Sequence, residues 1–129
     1  MKLRDRTLTD LAEMICGSSG GHSFGTGFKR EHFLYRSSRY LTEFFESCDM
    51  DYRHDGSTRK DWVLEVLKEV SFSAASDPQL PSDDIVRVIQ ELMDPANFNA
   101  DGSDRNAALK HLNICLSRDG IQAYFDDIQ

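Results

Sequence analysis

Apolar residues recur at helical spacing in five separate stretches of this chain, and this periodicity restricts the fold more than any other feature. Each stretch places a wide apolar stripe along one side of a helix, and such a stripe must be covered by a neighbouring element. The stretches cover residues 8–16, 38–48, 59–71, 83–93 and 104–117. The pattern predicts a mainly α fold, a compact five-helix domain with the 59–71 helix at the centre of its core.

Hydroxyl residues stand before four of these helices, where a side-chain oxygen can accept a hydrogen bond from a free backbone N–H. They are Thr7, Ser37, Thr58 and Ser82, and the first and third open variants of the capping box. Three shorter segments favour extended backbone: residues 33–35, residues 51–53, and residues 121–125, in which Ile121, Ala123 and Phe125 alternate with other residues. We therefore expect one or two short β-strands beside the helices.

A chain of 129 residues fits one domain, residues 1–129. Net charge is −7, and residues 61–129 hold five basic against 13 acidic residues, which argues against broad adhesion to nucleic acid. Residues 29–60 hold seven basic and six acidic residues, so an anionic ligand could dock there. With no charged-then-apolar leader and no run of 18 apolar residues, we expect a cytoplasmic protein without a membrane partner.

The cysteines and histidines lack the spacing of a metal or disulfide site. Three widely separated cysteines provide neither a disulfide framework nor a zinc pattern, so we expect buried, reduced thiols. His22, His32, His54 and His111 never pair three or four residues apart. We expect no metal and no cofactor.

Two loops imitate ligand-binding motifs without completing them. Residues 17–27 contain five glycines but lack the Gly-Lys-Ser/Thr ending of a phosphate loop, so a flexible connector is expected. Residues 97–102 offer oxygen ligands and a glycine in the register of a calcium loop. Ala108 stands where that loop needs its bidentate glutamate, so an ordinary polar turn is expected.

The most informative stretches for binding are residues 35–40 and 52–59, which lie at the amino ends of two predicted helices. Free backbone N–H groups there suit an anion, and arginine adds planar, bidentate donors. The candidate contact residues are Arg36, Ser37, Arg39, Arg53, His54, Thr58 and Arg59. The alternative is structural: the hydroxyls cap helices, and the arginines pair with nearby carboxylates.

Four blocks of sequence carry a family resemblance that spans nearly the whole chain. They are Arg4-Asp5-Arg6 with residues 11–17, residues 35–45, residues 54–59 with Trp62-Val63, and residues 112–121. On these blocks the chain resembles the AbiJ-type amino-terminal domains of bacterial abortive-infection proteins, which act in phage defence. The resemblance implies the front module of a longer protein, followed by an effector such as a HEPN ribonuclease, and it implies no catalytic residues.

These observations predict a non-catalytic sensing, regulatory or docking module that controls a C-terminal or partner effector, with a nucleic acid or nucleotide as its trigger. Two alternatives remain open. One is a small nuclease or hydrolase whose Cys/His or acidic site is assembled by folding. The other is a homodimerisation module that pairs its carboxyl-terminal strand across a two-fold axis.

Overall fold

The computed structural model describes residues 2–17, 33, 35–98 and 105–124. Its helices are α1 (Asp5–Cys16), α2 (Ser38–Ser47), α3 (Arg59–Val70), α4 (Asp83–Leu92) and α5 (Arg105–Leu116), with short 3₁₀ turns at Pro95–Phe98 and Ser117–Asp119. The mainly α, five-helix prediction is confirmed. None of these helices is long and apolar enough to cross a lipid bilayer, a finding that holds for the described part of the chain.

The predicted strands are wrong for the residues that the structure describes. Residues 51–53 and 121–124 are irregular, and Phe125 lies outside the described residues. At the carboxyl-terminal segment a side chain replaces the expected strand partner: Ala123 donates its N–H to Asn113 Oδ1 (2.7 Å), and Asn113 Nδ2 donates to the Ala123 carbonyl (2.8 Å). Because the Asn113 amide satisfies both backbone groups, this segment needs no β-ladder.

The start of α1 differs from the predicted capping box. Arg4, not Thr7, is the N-cap residue. Thr7 is buried and donates its hydroxyl to Asp119 Oδ2 at 2.6 Å, while Asp10 forms an ion pair with Arg118. Both side chains therefore fasten α1 to the 3₁₀ turn after α5 instead of closing the first turn of α1.

The most extensive helix–helix contact is the one between α1 and α3. Helix α3 also contacts α4, α1 also contacts α5, and α2 contacts α4, so α3 shares the interior of the fold with α1 and α4. Trp62 lies at the flank of this buried face and is half-buried, with its ring edge against Phe45 at 5.6 Å. The buried side chains of α3 are Val63, Val66, Leu67 and Val70.

Candidate functional site

The carboxyl end of α1 meets the amino ends of α2 and α3, and Arg36 fills the junction. Its side chain is buried, 3% exposed, and donates Nη1–H to the Ile15 carbonyl at 2.9 Å. Its backbone N–H donates to the Cys16 carbonyl at 3.0 Å, and its guanidinium lies 4.7 Å from the centre of the Phe44 ring. Burial lowers the pKa of Arg36 to about 10, against the attraction of the Glu91 carboxylate. Arg36 therefore satisfies carbonyls that the end of any helix leaves open.

Arg59 closes the same junction from α3. Its Nη2 donates to the Cys16 carbonyl at 2.7 Å, and its Nε donates to the Arg36 carbonyl at 3.0 Å. The guanidinium stacks over the Tyr35 ring at 4.3 Å. Two of the four candidate arginines are thus committed to holding helices together, as the structural alternative anticipated.

Ser37 and Thr58 occupy the predicted N-cap positions of α2 and α3, but neither side chain makes a capping hydrogen bond. Their carbonyls accept the first helical bonds, from Leu41 N–H at 2.8 Å and from Trp62 N–H at 2.9 Å. The helix starts were therefore predicted correctly, whereas the role of the two hydroxyls was not. In α2, the first-turn N–H groups are left without a capping side chain.

The remaining candidates, Arg39, Arg53 and His54, line a shallow, open depression of about 700 Å³ beside α2. We call it the α2 depression; its other lining residues are Ser38, Thr42, Glu43 and Glu46. The Arg39 side chain is 85% exposed and pairs with Glu43 at 3.5 Å, four residues further along the helix. An exposed pair of this kind contributes little to stability, so Arg39 can exchange its partner for a ligand.

His54 is held at four points inside the α2 depression. Its backbone N–H donates to Thr42 Oγ1 at 2.9 Å, and its ring edge packs on Trp62 at a centroid distance of 5.0 Å. Nε2 lies 2.8 Å from the Ser57 carbonyl, and Nδ1 lies 2.6 Å from Ser38 Oγ. Since a carbonyl can only accept, Nε2 carries a hydrogen, and in the tautomer with its only ring hydrogen there, Nδ1 accepts a hydrogen bond from the Ser38 hydroxyl.

A tight turn places the Ser57 carbonyl under the imidazole. Asp55 Oδ1 accepts from the Ser57 backbone N–H at 3.0 Å and from Ser57 Oγ at 2.5 Å. These hydrogen bonds hold the pKa of the Asp55 carboxyl below its usual value. Sequence reasoning missed the pairing of Ser38 with His54, because no motif spacing links residues 16 positions apart on a helix and a loop.

The three cysteines are free and buried, as predicted. Burial raises the pKa of the Cys48 and Cys115 thiols to about 12, and it also raises the pKa of Cys16 in spite of nearby Arg59 and Arg36. Only a thiolate is a strong nucleophile, and these groups stay protonated at neutral pH. The cysteine version of the hydrolase alternative therefore loses its support.

Several sequence predictions fall on residues outside the described ranges. These are the glycine-rich stretch 18–27, His22, His32 and residues 99–104 of the calcium-like loop. Among the residues that are described, no group of three or more His, Cys, Asp or Glu side chains is placed to hold a metal ion.

Comparisons of the chain with protein-family models, with curated proteins and with solved structures found no match. The resemblance to AbiJ-type domains therefore stays a prediction from sequence blocks. What can be said about function comes from the geometry of the α2 depression, where three of the predicted contact residues remain accessible at one place.

Proposed function

We propose that this chain is a sensing or docking module of a bacterial abortive-infection defence protein, acting in the cytoplasm, and that the α2 depression is its contact surface. The observation that carries the proposal is the division of the predicted arginines. Arg36 and Arg59 donate hydrogen bonds to backbone carbonyls inside the fold, whereas Arg39 and Arg53 are exposed and line the open α2 depression. The controlled effector is a further domain or a partner protein, for which the resemblance implies a HEPN-like ribonuclease.

The lining of the α2 depression favours a nucleotide or a nucleic-acid end as the trigger. Arg39 and Arg53 supply guanidinium groups that bind phosphate oxygens in bidentate fashion. Glu43 and Glu46 supply carboxylates that accept hydrogen bonds from ribose hydroxyls or base amino groups. A ligand with both kinds of group matches this mixed charge better than inorganic phosphate does.

The test is the affinity of the chain for short RNA, short DNA and cyclic nucleotides, measured by fluorescence anisotropy or calorimetry. Arg39→Ala/Arg53→Ala should weaken binding at least tenfold, because hydrogen bonds to charged groups contribute about 1.5–3 kcal/mol each. Arg6→Ala is the matched control and should bind like wild type. It removes an exposed arginine near the amino end of α1, which is not part of the lining of the α2 depression.

Arg59 is unsuitable for this experiment, because its removal would also release the Cys16 carbonyl from α3. If wild type and Arg39→Ala/Arg53→Ala had the same affinity, the α2 depression would not be the binding surface. Failure of the wild type to bind any of these ligands would reject the nucleotide trigger and leave a direct contact with the effector.

The homodimerisation alternative stays a prediction, although residues 121–124 do not form the strand on which it relied. Light scattering that returns a monomer at high concentration would reject it. The hydrolase alternative no longer has a thiol to act with, but one observation favours a different version of it: the short contact between Ser38 Oγ and His54 Nδ1.

A further inference from the structure

We propose that Ser38 is an activated nucleophile, with His54 as its general base, and that the α2 depression transfers acyl groups from esters to the Ser38 hydroxyl. This inference goes beyond the docking role and departs from the expectation of a non-catalytic module. It starts from the 2.6 Å distance between Ser38 Oγ and His54 Nδ1, which lies within the range for a general base that takes a hydroxyl proton.

The imidazole is oriented for this task from its far side. The Ser57 carbonyl, 2.8 Å from Nε2, fixes the tautomer that leaves the Nδ1 lone pair free to accept a proton. When Nδ1 gains the proton, the same carbonyl stabilises the positive charge on the ring. It thus takes the place of the carboxylate in a Ser-His-Asp arrangement. The packing of His54 on Trp62 restrains the ring in this orientation.

The position of Ser38 supplies the electrostatic part of the site. Ser38 is the first residue of α2, and the Ser37 side chain does not cap this helix. Ser37 therefore leaves the first backbone N–H groups of α2 available to donate to negative charge, which the helix dipole also favours. A carbonyl oxygen that becomes an oxyanion during attack by Ser38 Oγ would be stabilised by these donors.

The reaction balances without a metal or a redox partner. Ser38 Oγ forms a bond to the acyl carbon while its proton passes to His54 Nδ1. The tetrahedral intermediate then expels the alcohol oxygen of the ester, which takes the proton from Nδ1, and the acyl group remains on Ser38. In the second half, Nδ1 removes a proton from water as the water oxygen bonds to the acyl carbon. The tetrahedral intermediate then expels Ser38 Oγ, which takes the proton back from Nδ1, so that the carboxylic acid leaves and the Ser38 hydroxyl is restored.

The first experiment exposes the full chain to para-nitrophenyl acetate and follows the release of nitrophenolate, with peptide mapping by mass spectrometry. Wild type should release a burst of about one equivalent and carry an acetyl group on Ser38. His54→Gln should slow acylation of Ser38 by about 100-fold or more, as expected for the loss of a general base. Ser38→Ala should abolish the adduct.

Ser47→Ala, which removes an exposed serine at the other end of α2, is the matched control and should acylate like wild type. Circular dichroism establishes that each variant is folded. An unmodified Ser38 in folded wild type would overturn the proposal. Acylation of Ser38 at an equal rate in His54→Gln would overturn it as well, because Ser38 would then react only as an ordinary exposed hydroxyl.

A second measurement leaves His54 in place, since this residue also bridges its loop to α2. Ser38→Cys and Ser47→Cys are each treated with iodoacetamide at neutral pH, where the three buried native thiols react slowly. The variant at position 38 should be alkylated at least tenfold faster, because the imidazole of His54 and the amino end of α2 both promote the thiolate. Equal rates would show that His54 does not activate this position. Acylation and ligand binding are separate readouts, so either proposal can fail alone.

Discussion

Arg36→Ala is expected to lower the free energy of unfolding by about 3 kcal/mol. The substitution removes a charged donor from the Ile15 carbonyl, and leaving a buried acceptor unsatisfied costs about 1–3 kcal/mol. It also removes the guanidinium that packs over the Phe44 ring, whose loss adds to the destabilisation. A smaller residue would leave the junction of α1 with α2 both unpaired and underpacked.

Urea denaturation followed by circular dichroism measures this change, and Arg39→Ala is the matched control. Arg39 lies three residues further along the chain, but its side chain is 85% exposed and pairs with the exposed Glu43. Surface substitutions of this kind usually change stability by no more than about 0.5 kcal/mol. If the two variants lost the same stability, the assignment of Arg36 to the fold and of Arg39 to the surface would be wrong.

Phe45→Ala is expected to be the most damaging single substitution considered for this chain, at about 3–5 kcal/mol. The Phe45 side chain is fully buried, with 0% exposure. Its ring meets Phe44 at 5.2 Å, Trp62 at 5.6 Å and Tyr52 at 6.1 Å, each in an edge-on arrangement. Removing it creates a cavity where α2 meets α3 and the loop between them, and it deletes three aromatic contacts at once.

Thermal and urea unfolding test this expectation, with Tyr40→Ala as the control on the same helix. Tyr40 is 57% exposed, so its loss should change the free energy of unfolding far less. Equal losses from the two substitutions would mean that α2 does not present its Phe45 face to the core.

The helices could be predicted because their signal is local. Apolar spacing within ten or so residues decides them, and Ser82 caps α4 as expected, with its Oγ accepting from Ile85 N–H at 3.2 Å. The start of α1 could not be predicted, because the hydroxyl of Thr7 is claimed by Asp119, 112 positions away. Likewise, no local pattern shows that Asn113 would substitute for a strand beside Ala123.

Of the candidate site, only the position of its residues near the amino ends of helices could be predicted from the sequence. The sequence places Arg36, Arg39 and Arg59 near such ends, but it does not show which other helix ends face them. The carboxyl end of α1 lies against two of these arginines. Arg36 donates to the Ile15 carbonyl and Arg59 donates to the Cys16 carbonyl, so these two stabilise the fold. The contact of His54 with Ser38 depends on the path of the loop after α2, which tertiary packing sets.

The buried cysteines give the protein three internal probes of local opening. Cys16 lies at the end of α1, Cys48 directly after α2 and Cys115 near the end of α5, so each belongs to a different part of the fold. Each thiol can be alkylated only after its own surroundings have opened. The pace at which each one is labelled would therefore report the opening of that region separately, without any foreign probe.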